Sequence, residues 1–187
     1  CTPEAASFVY ATESSDRVRG YRLPASGSIS ASQDPDFTID MSTDTVPSTN
    51  LYSLEYVAKG DMLLVPAYDD GIVYVVDGVS SKATATLSAG RKFELNTSIY
   101  ALAVDSTRDR AYVTTDDGFI AVSSVSTQSG TVTTKVTIPY TDDVPGDSDA
   151  RVVVNCSTDV LYISFPDGVI QRYDNASQLT AESLPTA

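Results

Sequence analysis

The dipeptide Asp-Gly occurs three times, at Asp70-Gly71, Asp117-Gly118 and Asp167-Gly168, spaced 47 and then 50 residues apart. Each copy separates two short strand-like runs. Met62-Leu63-Leu64-Val65, Ala111-Tyr112-Val113-Thr114 and Val160-Leu161-Tyr162-Ile163 precede the turns. Ile72-Val73-Tyr74-Val75-Val76, Phe119-Ile120-Ala121-Val122 and Val169-Ile170-Gln171-Arg172-Tyr173 follow them. Asp-Gly suits a tight hairpin because both central residues need positive φ, which Gly adopts freely and Asp tolerates. A hairpin recurring every 40 to 50 residues or so is the sequence mark of β-propeller blades, each of four antiparallel strands. The expected fold is therefore all-β: a propeller of about four blades, complete in itself or part of a larger ring. Residues 1–187 form one domain or propeller segment, with repeats at about 6–41, 51–90, 98–138 and 150–184.

Three repeats read alike. An inner strand is expected at Leu51–Val57, Ile99–Val104 and Arg151–Val154, and an outer strand at Lys82–Leu87, Val132–Ile138 and Leu179–Leu184. Alternation of β-branched and aromatic residues supports strands throughout, and no helical period is present. In the first repeat, Phe8–Ala11 matches the strand before the hairpin, Val18–Leu23 the strand after it, and Phe37–Ile39 the outer strand. Its innermost strand has no counterpart, so unpaired edges are expected there. Asp34–Asn50 reads as a long polar connection between the first two repeats.

Composition narrows the function. The formal charge is −13, so a nucleic-acid partner is not expected, because phosphates demand a positive patch. The small basic cluster Arg17, Arg19 and Arg22 lies along one expected strand. No apolar run reaches the ~20 residues of a membrane helix. The chain has no His, which rules out a Ser-His-Asp triad and the commonest transition-metal ligand. Two cysteines cannot build a multi-Cys zinc site or an iron–sulfur cluster within one chain.

Three of the four asparagines begin an N-x-Ser/Thr sequon: Asn96, Asn155 and Asn175. At loop and strand-edge positions they point to N-linked glycans on an extracellular or cell-surface protein. Cys1 has three readings. It pairs with Cys156 as a disulfide, which such a compartment permits; it is the acylated cysteine of a lipoprotein; or it marks only where the chain begins. The lack of a starting Met points to upstream processing or truncation.

Two acidic groups are candidate calcium ligands, since hard cations take six to eight oxygens. One is the loop carboxylates Asp142, Asp143, Asp147 and Asp149; its spacing is not that of an EF-hand, and a solvated acidic loop is the simpler reading. The other is the hairpin set Asp69, Asp70, Asp116, Asp117 and Asp167, each of which has a sufficient role in its own turn. Among the tyrosines, Tyr10, Tyr74, Tyr112, Tyr162 and Tyr173 fall in strands and are expected to pack between blades, whereas Tyr52, Tyr56 and Tyr100 stand near the inner strands and can line a channel.

Arg110-Ala111-Tyr112-Val113-Thr114-Thr115 and Phe8-Val9-Tyr10-Ala11-Thr12 resemble the YVTN repeat of bacterial and archaeal surface propellers, and the blades are similar to those of lactonase-type propellers. The resemblance covers most of the chain and implies the fold. Those families close rings of seven blades, about twice what is present here. The lactonase-like members use His, Arg or acidic residues in the central channel, and without His no catalytic residue carries over. The expected function is therefore an extracellular, non-enzymatic propeller module. Its partner would be another protein chain or a second copy, in protein interaction or surface assembly. The alternatives are a lactonase-like enzyme, with Ca²⁺ the only cofactor suggested, and a carbohydrate-binding propeller.

Overall fold

A computed structural model describes residues 8–13, 17–22, 34–40, 53–68, 71–79, 91–116, 118–132, 135–140, 150–183 and 185–186. They form fifteen strands in four sheets, joined by turns and two single 3-10 turns at Val125–Thr127 and Ala176–Gln178. The first sheet holds β1 (Phe8–Glu13), β2 (Arg17–Arg22) and β3 (Phe37–Asp40). The second holds β4 (Glu55–Val57), β5 (Met62–Ala67), β6 (Ile72–Asp77) and β7 (Lys92–Glu94). In the third are β8 (Ala101–Asp105), β9 (Arg110–Thr114), β10 (Gly118–Ser123) and, past the two-residue β11 (Gly130–Thr131), β12 (Lys135–Pro139). The fourth holds β13 (Arg151–Asn155), β14 (Val160–Ser164) and β15 (Ile170–Asp174). Every pairing is antiparallel except that of β11, which leaves the third sheet to run parallel beside β7 and ties the second blade to the third.

These are the blades of a β-propeller, stacked in chain order, and their sheets do not close into a ring among the described residues. Three apolar layers hold the stack. Val18 and Ile39 of the first sheet pack on Leu63, Val65 and Tyr74 of the second. Leu64, Val73 and Val75 on the opposite face meet Ala111, Val113 and Ile120 of the third. Tyr112, Phe119 and Ala121 meet Leu161, Ile163 and Tyr173 of the fourth. Middle strands of the second and third sheets are therefore buried on both faces, which explains why β5 and β10 read as nearly unbroken apolar runs. Strand β13 instead alternates, as a strand with one face in solvent does.

The single Asp-Gly signal resolves into three turn geometries. Ala67 and Ile72 are paired, leaving a four-residue loop that contains Gly71. Thr115 N–H donates to the Gly118 carbonyl (2.8 Å), so Gly118 opens β10 instead of sitting inside the turn. Phe165 N–H donates to Val169 (2.9 Å) around the three-residue loop Pro166-Asp167-Gly168, with Gly168 at φ +91°. Gly71 is held by both conformation and space. Its φ is +62°, and a Cβ there would fall 2.6 Å from the Thr97 carbonyl oxygen.

The outer strands depart from expectation. Lys82–Leu87 lies outside the described residues, and the strand bonded to the outer side of β6 is β7 at Lys92–Glu94. Within Val132–Ile138, Lys135–Ile138 is strand and continues to Pro139, Val132 is not, and residues 133–134 lie outside the described residues. Of the strand expected at Leu179–Leu184, residues 179–183 form none and Leu184 lies outside the described residues. Asn175 at φ +54° breaks β15 into a 3-10 turn, Leu179 tucks into the core, and a turn at Thr180–Ser183 follows. One bridge from Thr186 to Arg172 is all that pairs with the outer side of β15 among the described residues.

Candidate functional site

The sheet-edge strands β4, β8 and β13 lie side by side, the inner strands of three successive blades. They border an axial cleft of about 180 Å³. Its walls include Glu55 and Tyr56 from β4, Ser106 just past β8, and Val152, Val153 and Val154 from β13. Burial pushes the Glu55 carboxyl up to about 7. A carboxyl group beside valines that titrates near neutrality can donate or accept a hydrogen bond toward a small polar ligand. Tyr56 holds its hydroxyl to Asp61 at 3.0 Å. Of the three tyrosines expected near a channel, Tyr56 reaches the cleft, Tyr52 lies outside the described residues, and Tyr100 does not reach it. Tyr100 is buried, donating to Asp116 and stacking edge-on with Tyr68 at 5.0 Å.

A second candidate surface is the free face of the fourth sheet. Here Val153 is 60% exposed, Tyr162 36% and Ile170 66%, with Val169 at their margin. Val153, Tyr162 and Arg172 form one cross-strand row. The matching row of the third sheet, Ala103, Tyr112 and Ala121, is buried beneath the fourth. Tyr162 thus departs from the expectation of packing between blades, whereas Tyr74, Tyr112 and Tyr173 meet it. The cause is position: among the described residues no further sheet lies against the fourth. Arg172 bonds Asp174 through Nε (3.0 Å) and Nη2 (2.7 Å), which neutralises the outer end of the row.

The acidic residues of the described turns work within the blades. Asp61, Asp109 and Asp159 each precede the second strand of a blade with φ between 50° and 55°. Asp109 accepts from Ser126 N–H (2.8 Å) and Ser126 Oγ (2.7 Å), and from Lys59 of the preceding blade (3.0 Å). Burial raises its carboxyl, but the Ser126 and Lys59 contacts outweigh this and hold it below the usual range. Asp105, fully buried, is likewise raised by burial and lowered further by Thr107 and Arg108. Arg108 also reaches the Cys156 carbonyl at 2.8 Å, bolting the third blade to the fourth. Sequence reasoning missed these ties, although the recurrence of Asp before the second strand and Ser 17 or 18 residues later was legible.

Asp142, Asp143, Asp147 and Asp149 lie outside the described residues, as do Asp69, Asp70 and Asp117. Asp116 accepts from Tyr100, and Asp167 from Val169 N–H at 3.0 Å, so both serve their own blades. Among the described residues no group of three or more potential ligands gathers around a metal position. Asn96, Asn155 and Asn175 are all exposed. Cys156 is buried with Sγ 3.9 Å from the Val104 carbonyl oxygen, and Cys1 lies outside the described residues.

No protein-family model matches the chain, and no curated protein matches it in sequence. Solved structures share its fold. The WD40 domain of coronin from Toxoplasma gondii is 13% identical over 91% of this chain and 41% of that one, with a TM-score of 0.58. The β-propeller domain of Cps50 (Swd1) from Myceliophteria thermophila is 15% identical over 97% and 52%, also at 0.58. Apo AztD from Citrobacter koseri is 19% identical over 91% and 43%, at 0.50. At such identities the likeness concerns the fold alone. The chain is a β-propeller of about four blades, and it spans about half or less of each of these proteins.

Proposed function

We propose that this chain is an extracellular, non-enzymatic propeller module whose role is to bind another polypeptide. The observation that carries the reading is the apolar face of the fourth sheet, where Val153, Tyr162 and Ile170 are exposed in positions that the preceding blade buries. Apolar residues gathered in this way on one sheet face mark interaction sites. The YVTN-like strands and the three sequons support a surface or secreted location. A second reading, a small-ligand or lactonase-like site, would use the axial cleft and Glu55.

Immobilised chain exposed to the extracellular medium of its source should retain a polypeptide partner, and Val153→Asp or Tyr162→Asp should release it. Retention unaffected by both substitutions would sink the interaction reading. Lactone turnover abolished by Glu55→Gln would replace it with the second.

A further inference from the structure

The three Asp-Gly dipeptides carry the same reactive pair of groups, and the fold treats them differently. An Asp carboxyl followed by Gly is able to close on the next amide nitrogen, because no side chain on the second residue blocks the approach. Ring closure turns the peptide between the two residues, so the glycine must be free to move. Gly71 and Gly118 are buried. The Gly71 carbonyl accepts Leu95 N–H (2.8 Å), and the Thr97 backbone stands 2.6 to 2.7 Å from where a Cβ would be. Gly118 is paired with Pro139, its carbonyl accepts Thr115 N–H (2.8 Å), and a Cβ there would collide with the Ile138 carbonyl. Neither glycine turns without displacing the backbone packed against it.

The third copy differs in each respect. Pro166, Asp167 and Gly168 are all exposed, and nothing beyond its chain neighbours lies within 4 Å of the point where a Gly168 Cβ would stand. Asp167 Oδ1 accepts Val169 N–H at 3.0 Å. An Asp bonded to the amide two residues on is folded back along the intervening peptide, which holds its carboxyl beside Gly168 N. Gly168 N–H donates to the Phe165 carbonyl at 3.0 Å, a bond in an exposed loop that water replaces when the turn opens.

We propose that Asp167 is a site of spontaneous isoaspartate formation, through a succinimide closed with Gly168. Gly168 N attacks Cγ of the protonated carboxyl. The N–Cγ bond forms, the Cγ–OH bond breaks, and the hydroxyl leaves as water with the amide proton. A second water then opens the ring at either of its two carbonyls. Attack at Cγ regenerates Asp167. Attack at the former backbone carbonyl breaks its bond to Gly168 N, so the chain runs on through Cγ and an α-carboxylate is left as the branch. The two steps consume and release one water each and need no oxidant, reductant or enzyme. The three-residue loop gains one methylene in its backbone, which loosens the Phe165–Val169 bond (2.9 Å) that closes the hairpin. The site does not rest on the interaction reading, although exposed Val169 and Ile170 follow directly on the modified loop.

Peptide mapping of the full chain, held folded in mildly acidic water enriched in oxygen-18, tests this. The peptide carrying Asp167 should take up heavy oxygen at least about tenfold faster than those carrying Asp70 and Asp117, because their buried glycines resist ring closure. Part of it should elute as a second species of equal mass that isoaspartyl methyltransferase labels. In urea, where the fold no longer separates the three copies, the rates should converge. Asp167→Glu, whose longer side chain closes a ring far more slowly, should remove the labelling at this site and leave the circular dichroism unchanged. Uptake at Asp70 or Asp117 that matches uptake at Asp167 in the folded chain would overturn the proposal. So would an absence of label at Asp167 in the folded chain, which would show its turn to be locked. Neither outcome touches partner release by Tyr162→Asp, so the interaction reading stands or falls separately.

Discussion

Ser177 donates its backbone N–H (3.0 Å) and its hydroxyl (2.6 Å) to the two carboxylate oxygens of Asp159. Asp159 returns its own carbonyl to Ala176 N–H at 2.9 Å, so one residue closes the end of the blade from both backbone and side chain. The same arrangement joins Asp109 to Ser126, with Val125 N–H on the Asp109 carbonyl. Losing a charge-assisted bond of this kind costs ~1.5–3 kcal/mol. An Ala with positive φ adds roughly 1–2 kcal/mol. Asp159→Ala and Asp109→Ala should therefore each lower the urea midpoint clearly. Asp→Asn, which tolerates the left-handed backbone and keeps one acceptor, should lose about half as much. Equal losses for Ala and Asn would show that the ties contribute little.

Much of this fold could be read from the chain because its middle strands are plain. Met62–Ala67 and Ala111–Thr114 are apolar, aromatic or β-branched and bounded by turns, so the repeat reports them directly. The outer strands were obscured because a short edge strand needs few apolar residues. Lys92–Glu94 contributes one buried side chain, Phe93, and carries no alternation long enough to read. Leu179–Leu184 shows the opposite failure: Leu179 is apolar because it plugs the core after a 3-10 turn, not because it lies in a strand. The free face was half legible. Gln171-Arg172 stands where β6 and β10 keep apolar residues, yet the exposure of Tyr162 depends on no further sheet of the described residues lying against it, which no single residue states.

Tyr112 and Tyr162 occupy the same position in successive blades, one fully buried and the other 36% exposed. Truncating a buried aromatic costs ~3–5 kcal/mol, whereas a surface change away from special features stays within about 0.5 kcal/mol. Tyr112→Ala should therefore lower stability severely and Tyr162→Ala hardly at all, in dilute chain measured by chemical denaturation. Comparable losses would show that Tyr162 is covered in solution.

Gly71 and Gly168 separate backbone strain from steric conflict. Gly168 has φ +91° but open space where a Cβ would go. Gly71 has φ +62° and the Thr97 backbone 2.6 to 2.7 Å from that point. Gly168→Ala should cost roughly 1–2 kcal/mol from conformation alone. Gly71→Ala should cost more, because Thr97 cannot yield without moving the segment that feeds β8. Thermal denaturation of the two variants checks the order, and a milder effect at Gly71 would contradict the close approach.

Glu55 sets a pH dependence of definite sign. Burial pushes its carboxyl from 4.5 to about 7, so the folded chain binds a proton that the unfolded chain has released. Its contribution is complete below about 4.5 and is lost as the pH rises through 7. Asp105 and Asp109 act oppositely. Their carboxyls are lowered, so their stabilisation is present above the ordinary Asp range near 3.8 and disappears in stronger acid. Between these windows stability should decline with pH, by on the order of 2 kcal/mol given partial solvent contact. Glu55→Gln should flatten the decline. A wild-type profile already flat from pH 4.5 to 7 would refute the assignment.

The sequons and the free face make linked demands. Asn96 and Asn175 are exposed with φ of 59° and 54°, in turns outside the strands that form the free face. Asn155 ends β13 in the alternation that exposes Arg151 and Val153, so its side chain borders the free face. Its Oδ1 accepts from Ser157 N–H at 3.1 Å and Thr158 N–H at 3.3 Å. Protein from its natural source should carry N-glycans at all three positions, and glycosidase treatment should reduce its intact mass accordingly. A glycan at Asn155 would crowd any sheet seated on Val153 and Tyr162. Asn155→Gln should therefore strengthen association of the glycosylated chain, while Asn96→Gln and Asn175→Gln leave it unchanged. A Cys1–Cys156 disulfide, one of the readings of Cys1, would belong to the same oxidising compartment, and non-reducing peptide mapping should then recover the two cysteines linked. No mass change on deglycosylation, together with two free thiols, would remove the extracellular reading.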